Sequence, residues 1–352
     1  MNSCAERARW WTRDRAKFGA AIALTCVASV ASLFVTQMAR AESEHAIVSL
    51  PAENFGFLPF YVAQDAHIFE EQGLDVQKVV LAGVGTTNGV ISGAADFGFS
   101  NGASLTRAAA RGQKLLAIAI MSDKPAWAII FRQDLAAAAH FNPEAPLAER
   151  AKILGTAHAL AIDTVNSVGH ALMRVIEKIG GVDPEAIPVT PLLSSEAILA
   201  FSRQAVDGFV SNAPWTEQVL AQGNAVVVAD ALSGDPPWIS PFASGLVIAR
   251  PQFCAEHRSI CLKMGHALVA SVAFVHTKRA DSLAILRKHF PQIDAAVMEK
   301  SFATIEKAMP AVPVISEAAI ANSDRLNVEA GFIKPEEQLK SYADLFTNEF
   351  VH

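Results

Sequence analysis

Apolar residues along this chain come in short runs that alternate with stretches spaced at helical intervals. The runs "AIVSL" (46–50), "DVQKVVL" (75–81), "ADFGFS" (95–100), "KLLAIAI" (114–120) and "AWAIIF" (126–131) predict strands, and "ALAID" (159–163), "IPVTPL" (187–192), "AVDGFVS" (205–211), "AVVVAD" (225–230) and "SGLVIAR" (244–250) continue the series. Between them, "FLPFYVAQDAHIFEEQG" (57–73) predicts a helix closed by Gly73, and "ASLTRAAARG", "HALMRVIEKIGG", "EAILAFSR" and "TEQVLAQG" predict others. From Pro251 onward the pattern is nearly all helical. Strands alternating with helices imply parallel sheets covered by helices, an α/β fold. One Ala-rich stretch, "DLAAAAHFNPEAPLAERAK" (134–152), interrupts the alternation and is expected to be a mobile insertion.

The first forty residues follow a different pattern. Arg7, Arg9, Arg13, Arg15 and Lys17 precede the charge-free run "FGAAIALTCVASVASLFV", which leads to Ala39-Arg40-Ala41. A basic head, an apolar stretch and a small-x-small exit make a secretory signal peptide, residues 1–41, and place the mature protein in the periplasm; a retained membrane anchor is the alternative. Ala23-Leu24-Thr25 before Cys26 is a poor lipobox. The later apolar stretch "ALVASVAFV" (267–275) is only of core-helix length.

Six basic groups against two acidic ones give residues 1–41 a charge of +4, so the total of −6 leaves −10 on the remainder. Such a surface does not seek nucleic acid or an anionic membrane. With 352 residues, 51% of them apolar, the chain is long enough for two domains with large cores. Past residue 41 two cysteines remain, Cys254 and Cys261. A continuous helix would hold them roughly 10 Å apart, too far to bridge, whereas a break in "CAEHRSIC" would permit a disulfide. Neither H-x-x-x-H nor C-x-x-C spacing occurs there, so no metal site is expected, and no cofactor either.

An internal echo carries more information. Residues 95–103 read "ADFGFSNGA" and residues 206–214 read "VDGFVSNAP", and each follows a short helix entered through paired hydroxyls, Thr86-Thr87 and Ser194-Ser195. The chain builds one strand-to-helix switch twice, as two α/β lobes closing on one ligand require. Asp96 and Asp207 are expected to cap backbone amides at these turns. "GFSNG" (98–102) is also a literal G-x-S-x-G, the pattern of a hydrolase nucleophile elbow at Ser100, and Asp207 or Asp230 followed by His266 or His276 supplies a triad in order. A catalytic elbow is needed only once, and no His-Gly-Gly stretch suggests an oxyanion loop, so hydrolysis is the remote alternative.

Ligands of open α/β sheets sit at the carboxyl ends of strands, beside helix N-termini that present free N–H groups. Four turns suit that role: "AGVGTTNG" (82–89) with Gly83, Thr86 and Thr87; "FSNGAS" (99–104) with Ser100 and Asn101; "DTVNSVGH" (163–170) with Asn166, Ser167 and Gly169; and "SNAPW" (211–215) with Asn212 and Trp215. Ser195 belongs with the second lobe's paired hydroxyls. Phe55, Phe57, Trp127, Trp215 and Trp238 are candidate walls, and Lys124 is a candidate charge partner. Plain capping and core packing are the competing roles for these residues. Neutral donors of this kind favour a small organic anion such as a sulfonate or carboxylate; the aromatic groups favour a neutral heteroaromatic ligand as the alternative.

"SLPAENFGFLPFYVAQDAHIFEEQGLDV", then "GVISGAADFGFSNGASLTRAAARGQKLLAIA" and "APW" near 213–215, resemble periplasmic solute-binding proteins of nitrate/sulfonate/taurine ABC importers, a superfamily shared with binding proteins for the thiamine pyrimidine precursor. The likeness spans about residues 46–250. It implies a type II two-lobed fold, with two mixed sheets flanked by helices and the ligand cleft between lobes. Lobe one is expected over 42–128 and 246–352 and lobe two over 129–245, with crossings near 126–132 and 242–247 where "AWAIIF" and "SGLVIA" pair as antiparallel hinge strands. It also implies a monomer that carries a small-molecule solute to a membrane permease. Carried over, the binding positions are Asn54, Phe55, Thr86, Thr87, Ser100, Asn101, Asn166, Ser167, Asn212 and Trp215. "DTVNSVGH" departs from the Ser-Pro-Gly-Ser form usual in the family.

Overall fold

The computed structural model describes residues 43–352. The expected signal peptide, 1–41, lies outside the described residues. The chain runs through β1 (Glu44–Leu50), α1 (Leu58–Asp65), α2 (Ile68–Glu71), β2 (Leu74–Val80), α3 (Gly85–Ser92), β3 (Phe97–Ser100), α4 (Gly102–Ala110) and β4 (Leu116–Ser122). It then crosses to β5 (Trp127–Arg132), α5 (Gln133–Ala138), α6 (Leu147–Ala151), β6 (Leu160–Ile162), α7 (Val168–Ile179), β7 (Val189–Pro191), α8 (Ser194–Ser202), β8 (Gly208–Asn212), α9 (Trp215–Leu220) and β9 (Ala225–Asp230). β10 (Gly245–Ala249) returns, followed by α10 (Pro251–Glu256), α11 (Arg258–Thr277), α12 (Arg279–His289), α13 (Ala295–Ala308) and α14 (Glu317–Ala330).

The strands form two five-stranded sheets, in the orders β2-β1-β3-β10-β4 and β7-β6-β8-β5-β9. The orders match strand for strand. In each, the first three strands are parallel and the fourth is antiparallel to both its neighbours. That fourth strand is always the crossing strand: β5 is inserted between β8 and β9, and β10 between β3 and β4. "AWAIIF" and "SGLVIA" therefore do not pair with each other as expected. Each enters the middle of a sheet, where both its edges are hydrogen-bonded and residues such as Ile129, Ile130, Leu246, Val247 and Ile248 are fully buried.

Asp96 holds a backbone amide of β1, and Asp207 holds one two residues before β6. Asp96 Oδ2 accepts the Ile47 amide at 2.9 Å, and Asp207 Oδ2 accepts the His158 amide at 2.7 Å. Each carboxylate also faces an arginine from the crossing-strand ends, Arg250 at 3.7 Å and Arg132 at 3.3 Å. The repetition read in the sequence is a repetition of structure.

Several local expectations are corrected. The helix expected over 57–73 is broken: α1 stops at Asp65, and His67 takes a left-handed conformation (φ 58°) before α2, with Gly73 (φ 71°) beyond it. The stretch 134–152 is not a mobile insertion. It forms α5 and α6, with Ala136 and Ala151 in the core, and Arg150 clamps it by donating to the Val228 carbonyl and to both oxygens of Asp235. The last α-helix ends at Ala330; beyond it the chain carries only two short 3-10 turns, Pro335–Glu337 and Ala343–Leu345, while Phe332 packs on the core of the second sheet, Phe346 bridges Ala117 and Phe350 packs on Gly265. α11 is 20 residues long and apolar enough to cross a membrane by length and composition, more than the sequence suggested. Its Cys261, Met264, Leu268, Val272 and Val275 are buried in the first lobe's core.

Cys254 and Cys261 form a disulfide. His257 (φ −121°, ψ 49°) separates α10 from α11 and brings the two Cα atoms to 5.6 Å, which a continuous helix would not allow. Replacing both cysteines with serine is expected to lower stability by about 2.5 kcal/mol, the loop-closure effect of so short a ring. A denaturant midpoint unchanged in the double variant would show that the bridge constrains nothing.

Candidate functional site

The carboxyl ends of the parallel strands in the two sheets face each other. Thr164, after β6, has its methyl 3.5 Å from where a Cβ on Gly83, after β2, would sit. Arg107 of α4 donates to the Asn166 carbonyl at 2.9 Å, and Thr304 of α13 donates to Glu217 of α9 at 2.7 Å. The polar turns lie on this opposed surface.

On the first lobe, Thr87 and Ser100 pair hydroxyl to hydroxyl at 3.1 Å. Asn101 caps α4 by accepting the Ser104 amide at 2.8 Å, and Asn54 caps the turn at 55–57 by accepting the Gly56 amide at 2.8 Å. Thr86 is buried and spends its hydroxyl on the Leu81 carbonyl at 2.9 Å, so its role is to hold the turn. On the second lobe, Ser211 and Ser194 repeat the hydroxyl pair at the same 3.1 Å. Ser194, not Ser195, is the partner; Ser195 is exposed on α8. Ser167 caps α7 by accepting the His170 amide and donates to Asp163 Oδ1 at 2.5 Å. Asn166 is left-handed (φ 63°) and donates its amide to His170 Nδ1 at 3.0 Å. Burial holds the His170 pKa below the ordinary histidine value, so the neutral ring accepts that bond. Asn212 lies opposite Trp127 in the β5–β8 register, and Trp215 opens α9 between the cores of the two lobes.

Three sequence candidates lie apart from this surface. Phe55 is fully buried and packs against Phe290 with ring centroids 4.9 Å apart, which makes it a core residue. Trp238 stacks under Arg325 at 4.2 Å and lines a groove with Val175, Lys178, Ile179 and Glu329, between α7 and α14. Lys124 donates to the Lys307 carbonyl at 3.3 Å, in the last turn of α13, where a cation complements the helix dipole. Among the described residues, Ser100 has no histidine or acid as a hydrogen-bond partner. No group of three or more His, Cys, Asp or Glu among them is arranged to hold a metal ion.

Sequence reasoning passes over Asp163 and Arg107. Asp163 follows the strand directly, in "ALAID", but was read only as the start of a turn; its pKa is raised by burial against the lowering effect of the Ser167 hydroxyl and the Thr164 amide. Arg107 sits in a run of alanines that reads as a solvated helix face.

Residues 54–139 match the family model described as NMT1/THI5 like. By sequence, no curated protein matches the chain. Solved structures do. The alkanesulfonate-binding protein SsuA from Xanthomonas axonopodis pv. citri, bound to MOPS, superimposes with a TM-score of 0.67 at 17% identity, covering 88% of this chain and 99% of that one. A Candida albicans gene product with the generic periplasmic binding protein fold gives 0.64 at 11% identity over 87% and 96% of the two chains. This chain has the periplasmic-binding-protein fold. The nitrate-binding protein NrtA from Synechocystis PCC 6803 shares that binding-protein fold, with a TM-score of 0.63 at 11% identity over 88% of this chain and 87% of its own. The two matched sheets and the opposed strand ends described above are the parts of the binding-protein fold that place the polar turns.

Proposed function

We propose that this protein is the solute-capturing component of an ABC importer, working in the periplasm and handing a small polar solute to a membrane permease. The observation that carries the reading is the duplicated hydroxyl pair, Thr87–Ser100 and Ser194–Ser211, set at equivalent strand ends on two lobes that face each other. The first 41 residues and the Cys254–Cys261 bridge support export, since disulfides persist in oxidising compartments. Relatives of the same fold that bind an alkanesulfonate and nitrate support an acid group on the ligand. The acid would be met by the hydroxyls and by the N-termini of α3, α4 and α7.

Capture works by population shift: a ligand that touches both lobes only when they are together favours the closed arrangement. The chain makes and breaks no bond. Ser100, the one residue in a hydrolase-like motif, spends its hydroxyl on Thr87 rather than on a base. The test is a thermal-shift and calorimetric screen of the protein from Glu42 against sulfonates, carboxylates, nitrate and pyrimidines. Saturable stabilisation without turnover is expected, and Ser100→Ala should weaken binding roughly tenfold, about 1.4 kcal/mol. Labelling of Ser100 by a fluorophosphonate, or no saturable binding by any compound, would overturn the reading.

A further inference from the structure

The helix α14 has one end in each lobe. Ile315 just before it, and Ala319 and Ile320 in its first turns, are buried with Ala117 and Ile120 of the first sheet. Leu326 and Ala330 near its other end, and Phe332 just beyond, pack with Ile129 and Ile162 of the second. Between those ends the helix touches the second crossing: Asn322 donates to the Pro241 carbonyl at 2.7 Å, and the Ala243 amide donates to Ser323 Oγ at 3.3 Å. The Gly102 amide at the start of α4 donates to the Ala243 carbonyl at 2.7 Å, and a Cβ on Gly102 would lie 2.6 Å from Ser323 Cβ. The last glycine of "GFSNG" is thus required by this junction. A 14-residue helix with neither Pro nor Gly is a straight rod of about 21 Å. Lobes that turn about their crossings move the two cores relative to each other, and such a rod cannot follow both. Opening of the cleft therefore frees one of its ends.

The end in the first lobe is the better anchored. Asn348 exchanges two hydrogen bonds with the Ile315 backbone at 2.8 and 2.9 Å, and the buried Asp324 accepts from the Leu339 amide at 3.0 Å and the Tyr342 hydroxyl at 3.1 Å. Asn327 adds a bond to the Ala103 carbonyl of α4 at 2.9 Å. The end in the second lobe is held to α7 by two cations on its last carbonyls, Arg174 on Ala330 at 2.8 Å and Lys178 on Glu329 at 2.7 Å. Arg174 is half-buried and Lys178 exposed, and a groove of about 220 Å³ runs between the two helices there. We propose that α14 is a splint across the hinge and that its joint with α7 is a latch, which holds the lobes together with no solute in the cleft and parts when the cleft opens. The latch goes beyond solute capture, because it acts without a ligand and sets how often the cleft opens to admit one.

The test uses dialysed protein from Glu42 with no added solute. Spin labels on Glu71→Cys in the first lobe and Arg203→Cys in the second, both exposed, report the separation of the lobes, and small-angle scattering reports overall size. Wild type should give one narrow separation. Arg174→Met/Lys178→Met, which keeps the side-chain stems but donates nothing, and Phe332→Ala, which removes the apolar contact, should each add a wider one and raise the open fraction roughly tenfold. The double Met variant changes two side chains at the surface of the joint, so it decides the matter even where Phe332→Ala does not fold. Asn348→Ala, at the other end, should leave the separation as in wild type. Joint variants that match wild type, a wild type already as open as they are, or opening by Asn348→Ala alone overturns the latch. Solute capture is untouched by these results, since no ligand is present.

Discussion

Replacing Glu177 with Gln is expected to stabilise the protein strongly at pH 8 and hardly at all near pH 5. Glu177 lies on α7, is 1% exposed, and has no hydrogen-bond partner for either carboxylate oxygen. Burial pushes its pKa from the ordinary 4.5 up to about 8; Arg174 opposes the rise, and Glu185 and Asp183 add to it. Arg174 is an incomplete partner because its guanidinium is engaged by Glu185 at 2.7 Å and by the Ala330 carbonyl at 2.8 Å. Below pH 4.5 the group is protonated in both folded and unfolded chains and costs nothing as a charge. Between 4.5 and 8 the unfolded chain releases the proton while the folded one keeps it, so stability falls as pH rises, by about 1.4 kcal/mol per pH unit. Above 8 the loss levels off at about 4–5 kcal/mol. Gln has the same shape and no charge, so the variant lacks this term. Denaturant midpoints of both proteins from about pH 5 to pH 9 give the difference directly. A difference that does not grow with pH would mean that Glu177 ionises freely in the folded protein.

How much of this was legible in the sequence depends on the range of the interactions involved. Strand and helix alternation is local, and it emerges from periodicity. So does the echo: Asp96 and Asp207, Ser100 and Ser211 recur in order because each lobe needs the same cap and the same turn. The exchange of β5 and β10 into the middle of their sheets is not local, since any apolar run satisfies the same pattern whether it pairs with a hinge partner or with β3 and β4. The break at His67 depends on a single left-handed residue, and the disulfide depends on a similar interruption at His257. The paired hydroxyls could be read because each helix is entered through two of them in a row, whereas which member meets Ser100 or Ser211 is set by the fold. Phe55 and Trp238 were misplaced because a buried aromatic and a cleft-lining one carry the same sequence signature. Asp163 was missed for the opposite reason, as an acid at a turn is usually a cap.

Arg107→Met is expected to cost about 2–4 kcal/mol and to loosen the turn that carries Asp163 and Ser167. Arg107 is buried on α4, and burial lowers its pKa to about 10, so it is charged at neutral pH. It donates to Asn327 Oδ1, to the Asn166 carbonyl at 2.9 Å and to Ser104 Oγ at 3.4 Å, with the Phe332 ring 5.9 Å away. Asn327 is fully buried and in turn donates to the Ala103 carbonyl and to Thr106, so one side chain joins α4, α14 and the 163–167 turn. Met fills nearly the same space and donates nothing. The buried Asn327 oxygen is then unpaired, at about 1–3 kcal/mol, and the Asn166 carbonyl, which water can reach, adds less. Asn166 would retain only the His170 bond to hold its left-handed conformation. Arg107→Lys keeps the charge and one direction of donation, so it should recover part of the loss but not the fork that joins α14 to the 163–167 turn. Chemical denaturation of the three proteins measures the first effect, and hydrogen exchange at the amides of 164–168 measures the second. Wild-type stability in Arg107→Met would show that the turn is held without α4, and that the two lobes meet there by contact alone.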